Sequence, residues 1–180
     1  MPLVTRKLDV YLRTHTGANV HAGNRFVPFG KEALIEGCLR SLVHSLKCAL
    51  PQADIMVTLI DDHSVPSALE KFCLILRESG LQWRLVQLPD GVTGNSASFR
   101  TQYEEARQTA RDLIYFVEDD YLHCDTAISE MLGAHALFSD KLKGREVGIF
   151  PVDYPDYYDR LLSECRIVLG ERRHFRTVTD

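Results

Sequence analysis

The stretch "RDLIYFVEDDYLHCD", Arg111–Asp125, runs an apolar segment, Leu113 to Val117, straight into Glu118, Asp119 and Asp120. A short run rich in branched and aromatic residues and bounded by charge reads as a buried strand. A strand buried on both faces belongs to a parallel sheet covered by helices. Side chains alternate along an extended chain, which expects Glu118 and Asp120 to point one way and Asp119 the other. Converging carboxylates raise each other's pKa and cost folding energy unless a cation neutralises them. Oxygen donors with open positions suit magnesium or manganese, ions that complete their shell with substrate phosphates. Glu118 and Asp120 are therefore the expected metal ligands.

Outward from this strand the chain alternates elements. Lys7–Thr14 reads as a first strand. In "KEALIEGCLRSLVHSLKCA", Lys31–Ala49, the residues Leu34, Ile35, Cys38, Leu39, Leu42, Val43 and Leu46 share one helical face. "ADIMVTLIDD", Ala53–Asp62, is a second strand, and "SALEKFCLILRES" a helix that Gly80 stops. Trp83–Leu88, Ser96–Ala110 and a segment near Thr126–Leu137 continue as strand, helix and helix, and Glu146–Val152 and Cys165–Gly170 are expected as strands. The alternation predicts an α/β fold, an open, mostly parallel sheet with helices on both faces. The length suits a single domain over residues 1–180, with parts at 1–125 and 126–180. The chain ends in "RRHFRTVTD" with no clear helices or closing strand after it, so it reads as truncated or naturally minimal.

In such sheets ligands bind outside the carboxyl ends of the strands. Two acidic groups meet that condition, Asp61 and Asp62 after the second strand and Glu118, Asp119 and Asp120 after the fourth. Acids after a strand also make turns and helix caps. Three adjacent acids exceed what a turn requires, and the two groups together are more specific than either alone.

Composition excludes several classes. A net charge of −4 with scattered basic residues offers no general attraction for nucleic acid or an anionic membrane. No apolar run approaches the length of a membrane span, and "MPLVTRKLDVYL" lacks the form of a signal peptide, so the cytoplasm is the expected location. The cysteines are odd in number, Cys38, Cys48, Cys73, Cys124 and Cys165, and no C-x-x-C pair links them. They read as reduced, mostly buried small hydrophobes.

"LIDDHS", Leu59–Ser64, followed by "YFVEDDYL", Tyr115–Leu122, resembles the nucleoside-binding and D-x-D metal-binding motifs of glycosyltransferases with the A-type fold, most like family 2, in an E-D-D variant. The likeness spans about Lys7 to Leu137. It implies a nucleotide-sugar donor, a divalent cation and transfer of the sugar to an acceptor hydroxyl, on a glycan, lipid or protein. It further implies that Thr14, Asp61, Asp62, Arg100 and Asp119 serve the nucleotide, and that Asp120, helped by Glu118, serves the metal. Arg100 sits about one residue away from the position where the family places an Arg.

The acceptor side is thinner. "FPVDYPDYYDRL", Phe150–Leu161, mixes tyrosines, prolines and aspartates in a way that suits either a stacking surface or a turn-rich connection. Transfer with inversion needs a base, and Asp153, Asp156 and Glu164 are unranked candidates. His123 and His174 receive no role. The long loop His15–Gly30 borders the crevice and carries Arg25, which makes it a candidate lid. A non-catalytic nucleotide- or metal-binding module is the alternative. A sugar-phosphate nucleotidyltransferase would need a Gly-rich phosphate loop that "GANVHAGNRFVPFGK" matches only loosely, and an aspartyl-phosphate phosphatase would need D-x-D where the first strand ends in "RTHTG".

Overall fold

The computed structural model of the chain describes residues 6–17, 30–144, 147–151, 165–169 and 174–178. Residues 1–147 and 148–180 form two compact units. The first contains β1 (Arg6–Thr14), α1 (Lys31–Ala49), β2 (Ala53–Asp61), α2 (Pro66–Ser79), β3 (Gln82–Gln87), α3 (Asn95–Thr109), β4 (Leu113–Val117) and α4 (Ala127–Lys141). The second contains β5 (Cys165–Leu169) and β6 (His174–Val178).

The four strands of the first unit are all parallel, in the order β3-β2-β1-β4. Alternation sorts their side chains between two covers. Leu8, Val10 and Leu12 of β1, Ile55, Val57 and Leu59 of β2, and Val117 of β4 pack with the apolar faces of α1, α2 and α4. Tyr11 and Ile60 point the other way, onto Ala106 of α3. Each fully buried Leu, Ile, Val or Phe contributes roughly 1.5–3 kcal/mol of transfer free energy, so the larger cluster is the main source of stability. Helices on both faces of a parallel sheet are the arrangement that the alternating pattern predicts.

Local chemistry sets the element ends. Pro66 occupies the first turn of α2, where its missing N–H has no helical partner to lose, and Gly80 closes the helix in the left-handed region at φ 75°. Gly94, before α3, has φ 98° and ψ 167°, a region nearly exclusive to glycine.

Three expectations need correction. Val147–Pro151 forms no strand: Gly148 and Pro151 interrupt its apolar run, and Phe150 is exposed. His174–Val178, not among the expected strands, is β6, which pairs antiparallel with β5 in the register Ile167↔Arg176. Cys38 is buried, but Cys48 and Cys124 are exposed and Cys73 is intermediate, so the cysteines do not act as a set of core residues. All four are free thiols.

Candidate functional site

The carboxyl ends of β1, β2 and β4 meet at one edge of the sheet, and the strand register determines which residues become neighbours there. Thr14 lies beside Asp61. Leu12 lies beside Val117, so the next positions along bring Arg13 to Glu118 and Thr14 toward Asp119. Because of the alternation, Arg13, Asp62 and Glu118 emerge on the α3 side while Thr14, Asp61 and Asp119 emerge on the α1 side.

On the α1 side, Asp61 is fully buried and tied down by the chain. The Thr14 hydroxyl donates to its Oδ1 at 3.1 Å and the Ser64 backbone N–H to its Oδ2 at 3.1 Å. Asp119 accepts from the His15 backbone N–H at 3.1 Å and pairs with Lys31 Nζ, at the first position of α1. Both partners of that pair are largely covered, with side chains 14% and 13% exposed.

On the α3 side, Asp62 is also buried and receives His63 Nδ1–H at 2.9 Å, the Thr93 hydroxyl at 2.7 Å and the Gly94 N–H at 2.7 Å. Burial raises its pKa, but the hydrogen bonds from His63, Thr93 and Gly94 outweigh it and hold the carboxyl below its ordinary 3.8. Asp62 is therefore an ionised acceptor inside the protein. His63 adopts φ 54°, an uncommon backbone for a residue other than glycine.

Arg13 completes this side. Its guanidinium pairs with Glu118, donates to the Asn95 side chain at 2.7 Å and the Ser98 hydroxyl at 3.2 Å, and lies over the Phe99 ring at 5.4 Å. Its Nε is buried without a partner among the described residues. His15 joins the two sides: its backbone N–H goes to Asp119 and its Nδ1–H to the Asp62 carbonyl at 2.5 Å. That carbonyl bond places the ring proton on Nδ1.

Thr14, Asp61, Asp62, Glu118 and Asp119 thus converge as expected of the strand ends, but through partners that the sequence reading did not name: Arg13, His15, Lys31, Ser64, Thr93 and Gly94. The signal available for Arg13 was a cation at the penultimate position of a strand otherwise buried. The alternation that pairs Glu118 with Asp120 does not carry through, because β4 ends at Val117 and Asp119–Asp120 form a turn. Asp120 is exposed, with no hydrogen bond or ion pair among the described residues. Arg100 stays outside the network. It is exposed and lines a groove of about 730 Å³ between α3 and the end of β3, with Val86, Pro89, Val92 and Ala97.

His123 donates or accepts with the Tyr115 hydroxyl at 2.9 Å, and burial pushes its pKa down from 6.5 to about 4. Asp153, Asp156, Glu164 and Arg25 lie outside the described residues, as does most of the candidate lid. Among the described residues no three His, Cys, Asp or Glu side chains gather as a metal cage would require, and no helix is long and apolar enough to cross a membrane.

No family model matches the sequence, and no curated protein matches it. The fold is shared with a solved structure of S. aureus TarS, which superposes with a TM-score of 0.51 at 19% identity, covering 79% of this chain and 23% of TarS. TarS 1–349 in complex with UDP gives 0.49 at 19% identity, covering 79% of this chain and 38% of that one. The chain spans about a quarter of the length of TarS.

Proposed function

We propose that this chain is the donor-binding core of a glycosyltransferase, moving a sugar from a nucleotide-sugar donor to an acceptor hydroxyl with the help of a divalent cation. The observation that carries this reading is the convergence of two acidic groups at the carboxyl ends of three parallel strands, linked by His15. The motif likeness of "LIDDHS" and "YFVEDDYL" and the fold shared with TarS support it.

The residues have separable roles in this reading. Asp62 is held ionised, and in this reading the one carboxylate lone pair beyond its three bound donors would accept a nucleoside N–H or O–H. Asp61, with Thr14 and Ser64, holds the strand ends in register beneath it. Glu118 is engaged by Arg13 and Asp119 by Lys31, which leaves Asp120 as the carboxylate of the turn with no partner among the described residues. That fits magnesium or manganese shared between one carboxylate and the phosphates of the ligand, the usual habit of these ions, and not a cage made by protein alone. When bound, such an ion would offset the negative charge that develops on the departing nucleoside diphosphate. The base for the acceptor hydroxyl belongs to the same reading, with Asp153, Asp156 and Glu164 as its candidates.

Calorimetry with nucleoside diphosphates, with and without manganese, tests the donor site. Metal-dependent binding is expected, and Asp120→Ala should lower it by at least about tenfold, the loss that removing even an outer-shell partner of a metal ligand brings, while the melting temperature holds. Binding that ignores manganese, or an Asp120→Ala affinity equal to the parent's, would defeat the reading. Metal-dependent binding without sugar transfer to water or an acceptor would point to a binding module on the same fold.

A further inference from the structure

Arg13 stands out among the charged groups of the first unit. Its side chain is 9% exposed, whereas that of its partner Glu118 is 52% exposed, so the pair is a buried cation holding a half-open carboxylate. Burying a guanidinium costs several kcal/mol unless its donors find acceptors. Here those acceptors come from two different elements, Asn95 and Ser98 in the first turn of α3 and Glu118 at the end of β4. The Phe99 ring covers the planar face, and Nε goes without a partner among the described residues. The guanidinium thereby joins these two segments.

The consequence lies at the acidic turn. Glu118 is drawn toward α3 by Arg13, while Asp119, on the opposite side, is drawn toward α1 by Lys31. Held from both sides, the turn projects Asp120 into solvent. We propose that Arg13 is the positioning residue of the donor site: by clamping Glu118 to the first turn of α3 it removes Glu118 from the metal's ligands and presents Asp120 alone to the metal and diphosphate. The proposal rests on the donor-site reading above. Lys could not substitute for Arg13, because an ammonium lacks the planar fork that reaches Glu118 and Asn95 together.

The test compares Glu118→Gln, Glu118→Ala, Arg13→Met and the Arg13→Met/Glu118→Ala double variant of the full chain, in two readouts. The first is the manganese concentration at half-saturation in the presence of a nucleoside diphosphate. Glu118→Gln keeps an acceptor for Arg13 and should shift it by less than about threefold, while Glu118→Ala and Arg13→Met should each raise it about tenfold, as loss of an outer-shell partner does. The double variant should match the worse single one, because both remove the same clamp. A Glu118→Gln loss as large as that of Asp120→Ala would make Glu118 a direct ligand and overturn the proposal, as would additive losses in the double variant. The second readout is amide hydrogen exchange at residues 95–98 and 118–120 without ligand, which should speed up in both Glu118→Ala and Arg13→Met. Unchanged exchange there would refute the clamp. If the parent binds no nucleoside diphosphate, the donor-site reading falls while exchange still decides the clamp. If Arg13→Met does not fold, Glu118→Ala, at a half-exposed position, decides it alone.

Discussion

Two kinds of charged contact share the sheet, and they differ in what removing them should do. At the amino end, Arg111 bridges Asp9 and Asp54, donating from Nε to Asp9 at 2.9 Å and from its guanidinium to Asp54 at 2.6 Å. Asp9 is buried at 3% exposure, far from the strand ends that form the crevice. Arg111→Met would strand that carboxylate, a change that costs on the order of 3 kcal/mol when a buried pair is broken. The cost stays at the low end because the Arg111 backbone N–H still donates to Asp9 at 2.7 Å. Urea unfolding should show this loss while nucleoside diphosphate affinity stays within error; an affinity that falls with stability would show that the two ends of the sheet are coupled. A second residue-level expectation concerns pH. Between pH 6.5 and about 4 the unfolded chain protonates its histidine at position 123 while the folded chain keeps His123 neutral. Protons then favour the unfolded state, so His123 withdraws stability as pH falls through that window and adds no further slope below it. The lowered Asp62 acts in a separate window: its contribution is intact above 3.8 and is lost as pH falls from there through its folded value. His123→Gln preserves a partner for the Tyr115 hydroxyl and cannot titrate. Urea midpoints measured across pH 4 to 6.5 should fall less for the variant than for the parent, and parallel curves would mean that another group carries the dependence.

At the scale of the element, α3 is where local backbone and site chemistry meet. Gly94 precedes the helix at φ 98° and ψ 167°, its N–H donates to Asp62, and open space surrounds the position where a Cβ would sit. The obstacle to Gly94→Ala is therefore conformational and not a clash, a cost of about 1–3 kcal/mol for forcing a residue with a Cβ into that region. If the chain relaxes instead, the N–H swings away from Asp62. Either route should weaken nucleoside binding along with stability, and a variant that unfolds earlier yet binds a bare nucleoside as well as the parent would dissociate the turn from the site. What the sequence discloses follows the same division. The bounds of α1 are readable because a long apolar stripe repeats every turn, and the strands β1, β2 and β4 because their apolar runs end in charge. Val147–Pro151 misleads because apolar content suggests burial while Gly148 and Pro151 break the ladder. β6 is overlooked because a short hairpin strand bounded by Arg172 and Arg173 has little apolar signal of its own. The acidic residues of the site are legible from position alone. Their partners Arg13 and Lys31 are not, because which cation meets which carboxylate depends on a sheet register and a helix placement that no local pattern encodes.

At the scale of the whole chain, the candidate chemistry divides between the two compact units. Thr14, Asp61, Asp62, Arg100, Glu118, Asp119 and Asp120 all fall within residues 1–147, and so does every member of the two buried clusters. Asp153, Asp156 and Glu164 fall within residues 148–180. A unit with its own parallel sheet, helices on both faces and a continuous core has what independent folding requires. Among its described residues the second unit offers a two-stranded antiparallel pair, and an isolated pair of strands is marginal in water. Residues 1–147 expressed alone should therefore unfold cooperatively and bind nucleoside diphosphate with manganese within about threefold of the full chain, a difference under 1 kcal/mol. If the base is Asp153, Asp156 or Glu164, as proposed, the same fragment should transfer no sugar. Measuring both properties on one preparation separates the roles: a fragment that folds but loses metal-dependent binding would place donor contacts in residues 148–180, and a fragment that still transfers sugar would move the base into the first unit, away from Asp153, Asp156 and Glu164.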